Sequence, residues 1–266
     1  QPVIFNYVDS VHGECNRISL TEKYSSFDLK IRDINRVVSD EEELYIPLRM
    51  DEMYKVMDSD KKSTYITETN VDFLEESGLF KTFKYGDSLL RPYLTCKCEY
   101  DLMSGSVNSV TPFRYNVTYR NYFNVIEGNI RIKMTPPKNS RFLHEEKDYD
   151  NYEFRSLINP WNVSPTYQSD FDKFKCLEVE LNAGQLIYIP AYWWYSIEYG
   201  ENTMVSSYKY HTYMSMTSIA PHLTIALLQS QNIKRVPYLN IISDSNVNVE
   251  TDSSFNSTSD SSFNSI

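Results

Sequence analysis

The chain has 266 residues, of which 41% are hydrophobic and 23% charged, and its formal net charge at pH 7 is −10. These values are typical of a globular protein that is large enough to bury a full core. The acidic excess argues against a general nucleic-acid binder, which needs Lys and Arg to displace counterions. No apolar run approaches the roughly 20 residues that span a bilayer, which excludes an integral membrane protein. The four cysteines are too few and too scattered for a disulfide scaffold, and they predict a reducing, intracellular compartment.

The first 89 residues are predicted to form a mixed α/β segment. Apolar side chains from Met50 to Met57 follow the i, i+3, i+4, i+7 spacing of one helix face. The β-prone residues 63–67 predict a strand. Asn70 is a candidate cap for a second short helix, and Gly78 stands where that helix would end.

Residues 90–217 are dominated by strand patterns. Apolar and polar side chains alternate over Ile130–Met134 and over Leu177–Leu181, and a third run rich in Thr, Val and Tyr covers Thr203–Tyr210. Aromatic residues, 14% of the chain, also favour pleated surfaces. Many short strands of this kind predict a sandwich or a barrel.

The C-terminal part divides into a helical segment, residues 218–242, and a tail, residues 243–266. Ser218 is a candidate helix cap, Pro221 suits the first turn, and an apolar face runs from Ile219 to Leu227. The tail is almost entirely Ser, Asn, Asp and Thr, so it offers too little apolar surface to offset the entropy of ordering, and we expect it to be flexible.

Two stretches are more specific than the rest. The first is TPFRYN, residues 111–116, and the second runs from Leu181 to Ile197 and contains the string Gly-x-Leu-x-Tyr-Ile-Pro-x-x-Trp-Trp. Together they resemble the cupin-like JmjC family of 2-oxoglutarate oxygenases, and above all its asparaginyl hydroxylases that act on hypoxia-inducible factor. The resemblance, from about Leu90 to Tyr210, implies a mainly β fold with flanking helices, a double-stranded β-helix or jelly roll. It also implies Fe(II) and 2-oxoglutarate as cofactors, with hydroxylation of protein side chains.

The sequence departs from this family at the three iron-ligand positions. Arg114 and Asn116 stand where the family has His-x-Asp/Glu, and Tyr195 stands where it has the distal His. Fe(II) is bound by neutral imidazole and carboxylate donors, whereas a guanidinium is permanently cationic and has no lone pair to offer. We therefore predict that this barrel has lost its metal triad and binds no cofactor.

Four further residues are candidates for lining the pocket. Thr111 keeps the hydroxyl that the family directs toward its co-substrate, whereas Ile130 lies at or near the position of the lysine that anchors 2-oxoglutarate. Trp194 and Tyr208 complete the predicted set. Arg114 itself could hold a small anion, but internal pairing with Glu or Tyr side chains is favoured, because buried charges persist mainly when paired.

Other ligand-type residues give weaker patterns. His144-Glu145-Glu146 lies in a charged loop and is interpreted as a solvated run, whereas His211 and His222 are interpreted as structural. Cys96 and Cys98 would share one face of a strand and are interpreted as two buried thiols.

Three functions remain open. The first is a catalytically degenerate barrel that acts by binding, and the second is an active Fe(II)/2-oxoglutarate hydroxylase with a non-standard metal site. The third is a structural or assembly component of a large complex, which the Asn-, Tyr- and Ser-rich composition, typical of AT-rich viral or parasite genomes, would suit. We favour the first combined with the third: a protein partner, no direct nucleic-acid or membrane binding, and, as the resemblance suggests, homodimerisation through the C-terminal helix.

Overall fold

The computed structural model describes residues 1–35 and 44–230. Its strands are β1 (Val3–Asn6), β2 (Asp28–Asp33), β3 (Ile46–Arg49), β4 (Tyr65–Thr67), β5 (Thr95–Gly105), β6 (Arg114–Tyr115), β7 (Arg120–Glu127), β8 (Asn129–Thr135), β9 (Glu145–Asp148), β10 (Glu153–Ser156), β11 (Leu177–Asn182), β12 (Gln185–Pro190), β13 (Trp194–Tyr199) and β14 (Met204–Thr212). Its α-helices are α1 (Ser10–Glu14), α2 (Arg17–Tyr24), α3 (Met50–Ser59), α4 (Val71–Glu76), α5 (Leu79–Gly86), α6 (Gln168–Phe171), α7 (Tyr213–Ser218) and α8 (Ala220–Ser230). None of these helices is both long and apolar enough to cross a membrane.

The strands form two antiparallel sheets. Sheet 1 has the order β1-β12-β7-β14-β5-β4-β2-β3, and sheet 2 has the order β11-β8-β13-β6-β10-β9. Their facing sides share one apolar core, to which β7 and β12 contribute from sheet 1 and β8 and β13 from sheet 2. The predicted mainly β, jelly-roll fold is thereby confirmed.

The N-terminal helices cover the other side of sheet 1. Met50, Met53, Tyr54 and Met57 of α3 are all buried, as their spacing predicts, and they share a core with side chains from β2, β5 and β14. Strands β2, β3 and β4 belong to sheet 1 itself. Residues 1–89 therefore supply both a covering layer and part of the sheet.

Several predicted elements are confirmed with small shifts. In β8 the apolar residues Ile130, Ile132 and Met134 are buried and alternate with Asn129, Arg131 and Lys133, and only the final residue, Thr135, breaks the alternation by being buried as well. Helix α4 begins directly after Asn70, and the chain leaves it at Gly78 with φ of +78°. The Asn70 side chain makes no capping bond, because its oxygen accepts from the Lys30 backbone N–H and its amide donates to Thr67 and to the Leu102 carbonyl.

Two predictions are wrong. Ser218 does not cap the late helix: it is the last residue of α7, and α8 begins at Ala220. Cys96 and Cys98 are not two buried thiols, because Cys96 is exposed and Cys98 is half-buried near the start of β5. The predicted tail, residues 243–266, and the end of the predicted helical segment, residues 231–242, lie outside the described residues.

Candidate functional site

The three residues that the sequence resemblance assigns to metal-ligand positions come together between the sheets. Arg114 lies on β6 and is directly opposite Tyr195 on β13, and Asn116 follows β6 immediately. The Asn116 side-chain amide donates to the Tyr195 hydroxyl at 2.9 Å, and the backbone carbonyl of Asn116 accepts from the Tyr192 backbone N–H at 2.9 Å. All three line one cavity of about 90 Å³.

Arg114 is paired internally, as the sequence analysis favoured. Its Nη1 donates to Glu68 Oε1 at 3.0 Å and to Glu153 Oε1 at 2.8 Å, and its Nη2 donates to the second oxygen of Glu68. Arg32 approaches the same two carboxylates, with its Nη1 at 3.0 Å from Glu153 and 3.4 Å from Glu68. These residues form what we call the four-charge cluster, with two positive and two negative charges: Arg32, Glu68 and Glu153, which are buried, and Arg114, which is 12% exposed.

The four-charge cluster shifts the pKa of its members toward their charged forms. Burial alone would raise the pKa of Glu68, but Arg114 and Arg32 outweigh it and lower that pKa to about 2. The Glu153 pKa is lowered in the same way, mainly by Arg32 and then by Arg114, against burial. Burial opposes the charge of Arg114, yet the Glu68 carboxylate holds the Arg114 pKa well above its ordinary value. All four side chains therefore stay ionised at neutral pH.

The rest of the cavity wall is mixed in charge. Lys209 of β14 and Asp101 of β5 line it, together with Thr69 and aromatic side chains. Burial raises the Asp101 pKa to about 6, although Lys209 and the backbone N–H groups of Asn70 and Thr69 pull it down. The cavity volume corresponds to about three water molecules. Arg114 Nε is buried and has no hydrogen-bond partner among the described residues.

The other four predicted pocket residues lie elsewhere and are not among the residues that line this cavity. Thr111 lines a separate cavity of about 370 Å³, and its hydroxyl accepts from the Ile197 backbone N–H. Ile130 is buried in the core between the sheets. Trp194 donates from its indole to the Ser140 hydroxyl, and Tyr208 donates to Asp9 on the helix-covered side of sheet 1.

Sequence reasoning missed the carboxylates that neutralise Arg114. Glu68 follows β4 and Glu153 begins β10, so they lie 46 and 39 residues from Arg114 along the chain. Neither belongs to a recognisable motif. The one available signal was Arg114 itself, because a guanidinium at an interior position requires nearby carboxylates.

The weaker candidates lie apart from this cavity. His144 is exposed and contacts Asp170 at 2.8 Å, and Glu145 and Glu146 begin strand β9 rather than lying in a loop, whereas His211 is buried in β14. His222 of α8 lies 3.1 Å from the Tyr149 hydroxyl. Within residues 1–35 and 44–230, no group of three or more His, Cys, Asp or Glu side chains is arranged to hold a metal ion.

The family model described as a cupin-like domain matches residues 17–216, well over half of the chain. This chain belongs to the cupin-like family. The match confirms the resemblance to the cupin and JmjC superfamily and includes every residue of the four-charge cluster.

Among curated proteins, the cupin-like chain is similar to HSPB1-associated protein 1 of Rattus norvegicus and of Bos taurus. Each relative is 28% identical over 101 residues, a segment that covers 38% of this chain and only 21% of the relative. The similarity is therefore partial, and it reaches a small part of those longer proteins.

Proposed function

We propose that this cupin-like protein is a degenerate relative of the Fe(II)/2-oxoglutarate oxygenases that acts by binding a protein partner, alone or within a larger assembly. The observation that carries the proposal is the pairing of Arg114 with Glu68 and Glu153, at a position that the sequence resemblance assigns to an iron ligand. We also propose that the protein is related to the asparaginyl hydroxylases. The sequence resemblance assigns the iron-ligand positions of those enzymes to Arg114, Asn116 and Tyr195.

The side chains at these positions do not fit a ferrous ion. Strong donors for Fe(II) in such triads are two imidazoles and a carboxylate. In this chain a guanidinium, an amide and a phenol stand in their place. The two carboxylates nearby, Glu68 and Glu153, each contact both Arg114 and Arg32. A divalent cation placed here would meet two fixed positive charges and would have to displace them from their partners.

The test is metal and co-substrate binding by the purified chain. After anaerobic incubation with Fe(II) and desalting, we expect iron far below one equivalent by elemental analysis, and no heat of binding in a 2-oxoglutarate titration. An established Fe(II)/2-oxoglutarate oxygenase carried through the same steps is the positive control. Stoichiometric iron together with succinate release would overturn the proposal and support an active hydroxylase with a non-standard metal site.

A protein partner is proposed on two grounds. The name of the similar relatives records an association with HSPB1, and a barrel without catalytic chemistry retains its surfaces for recognition. Purified HSPB1 is therefore the first probe, in a biolayer interferometry titration against the immobilised chain. Saturable binding would support a partner of that kind, whereas no binding at high micromolar concentration would exclude HSPB1 itself as the partner.

Homodimerisation through the C-terminal helix is also proposed. In α8 the side chains of Leu223, Ile225 and Leu228 are exposed, whereas Ile219 just before the helix is buried. A Leu228→Lys substitution should lower the average mass in light scattering if this face joins two copies.

The free cysteines of the described chain, Cys15, Cys96, Cys98 and Cys176, suit an intracellular location for this protein.

A further inference from the structure

Strand β1 is an edge strand with exposed apolar side chains. It pairs with β12 at the end of sheet 1, and β12 is its one neighbour among the described strands. Val3, Ile4 and Phe5 are 53%, 41% and 36% exposed, and β1 contains no charged residue. Protein edge strands are usually protected by charges, by proline or by a covering element, because their free backbone groups can pair with another chain.

The register defines which backbone groups of β1 are free. The backbone N–H of Tyr7 donates to the backbone carbonyl of Gly184. The same register pairs Phe5 with Leu186 and Val3 with Tyr188. In an antiparallel ladder, residues alternate between bonding inward and bonding outward. The N–H and C=O groups of Ile4 and Asn6 therefore point away from β12, toward the side of β1 that has no partner strand among the described residues.

The side chains of β1 are exposed on both sides of the sheet. Ile4 lies opposite Ile187, which belongs to the core between the sheets, whereas Phe5 lies opposite Leu186, which packs under the helices. A strand added at this edge would therefore extend two apolar layers together.

We propose that β1 pairs antiparallel with β1 of a second copy, about a two-fold axis that passes between the two Ile4 residues. This register forms a closed pair of Ile4–Ile4 backbone hydrogen bonds, and it lets each Asn6 N–H donate to the Pro2 carbonyl of the other copy. Pro2 has no N–H to leave unsatisfied.

The same register makes the sequence complementary to itself. Val3 of each copy lies opposite Phe5 of the other, and an aromatic side chain opposite a β-branched one is a favourable cross-strand pair. The uncharged strand brings no like charges together. A two-fold contact of this kind uses the same patch on both subunits, as the commonest homodimers do.

The proposal is tested by Ile4→Pro. This substitution removes an outward N–H, so it leaves the β1–β12 bonds intact, and proline is tolerated at edge positions of this kind. Two intermolecular hydrogen bonds are lost, and we expect the dissociation constant for self-association to rise about tenfold or more in sedimentation equilibrium. Val8→Lys, at a 72% exposed position beyond the end of β1, is the matched control and should leave association unchanged.

Hydrogen exchange provides the second measurement. The amides of Ile4 and Asn6 should become more protected as the wild-type protein concentration rises, whereas the already bonded amide of Tyr7 should change little. Self-association that is equal in wild type and Ile4→Pro but abolished by Leu228→Lys would overturn the proposal in favour of the α8 face. A wild-type protein that stays monomeric at high micromolar concentration would overturn it as well.

Discussion

The charge of Arg114 is tolerated in the interior because neighbouring carboxylates balance it. The guanidinium makes hydrogen bonds to two carboxylates, and Arg32 completes a neutral set of four charges. Such a cluster contributes less to stability than its number of contacts suggests, because each buried ion has lost its water. Removing one member is costly, since the others then remain buried without compensation.

Arg114→Met should therefore destabilise the protein by about 3–5 kcal/mol in urea unfolding at neutral pH. The variant keeps most of the side-chain volume, but Glu68 then retains only Arg32 as a cationic partner, and Glu153 retains Arg32 and a 3.9 Å contact with Arg155. Arg131→Met is the control, because Arg131 is 45% exposed and pairs with Glu198 near the surface, where about 1 kcal/mol or less is expected. Similar losses in the two variants would contradict the role given to the four-charge cluster.

The lowered pKa of Glu68 predicts a dependence of stability on pH. Its value of about 2 in the folded protein lies below the ordinary value of 4.5, so the stabilisation is complete above about pH 5 and is lost as the pH falls toward 2. Unfolding free energies measured between these limits should decrease with acidification. Glu68→Gln should be less stable at neutral pH and should lose less on acidification, and an unchanged acid slope in this variant would refute the assignment.

At the scale of single elements, the turn between β7 and β8 depends on Gly128. Its φ is +73°, and an added Cβ would lie 2.7 Å from the Glu201 carbonyl and 2.8 Å from Thr203. Gly128→Ala should therefore cost more than about 2 kcal/mol, through both backbone strain and the clash. Gly13→Ala in α1 has open space around it and should be neutral or slightly stabilising, because alanine favours helix. Thermal unfolding of the two variants compares them directly.

The elements differ in how far the sequence predicts them. Strand β8 and helix α3 were predictable because each has one buried side, so the apolar spacing repeats with the period of the element. Strand β14 is buried on both sides and β1 on neither, so neither has an alternating pattern. Ser218 looked like a cap because its neighbours suit a helix start, but a bond from its hydroxyl to the Ser215 carbonyl places it in the last turn of α7.

Only some residues of the candidate site could be predicted from the sequence. The resemblance to the JmjC family assigned Arg114, Asn116 and Tyr195 to one site, and the fold brings the two motifs that contain them face to face. The partners of Arg114 come from β10 and from the loop after β4, and long-range pairs of this kind leave no local spacing to detect. Trp194 and Tyr208 lie outside this cavity, because neighbouring residues on a strand point to opposite sides of the sheet.

At the scale of the whole molecule, we expect residues 1–89 and the later strands to unfold as a single cooperative unit. Strands β2, β3 and β4 extend sheet 1, and the segment supplies Arg32 and Glu68 to the four-charge cluster. A chain that begins at residue 90 should therefore fail to fold, because it would expose one side of β5 and β14 and leave Arg114 buried with one carboxylate. Far-UV circular dichroism and limited proteolysis would check this, and a cooperative melt of the shortened chain would contradict it.

The mutual dependence of the four charges also bears on how this protein can change over generations. An Arg114→His substitution would introduce an imidazole, but it would remove one guanidinium partner from each of the ionised side chains of Glu68 and Glu153, and the loss of stability would be selected against. Substitutions at Arg32, Glu68 and Glu153 would have to precede or accompany the change at position 114. Single substitutions that introduce a metal ligand at position 114 are therefore opposed by the cost of unpairing the four-charge cluster.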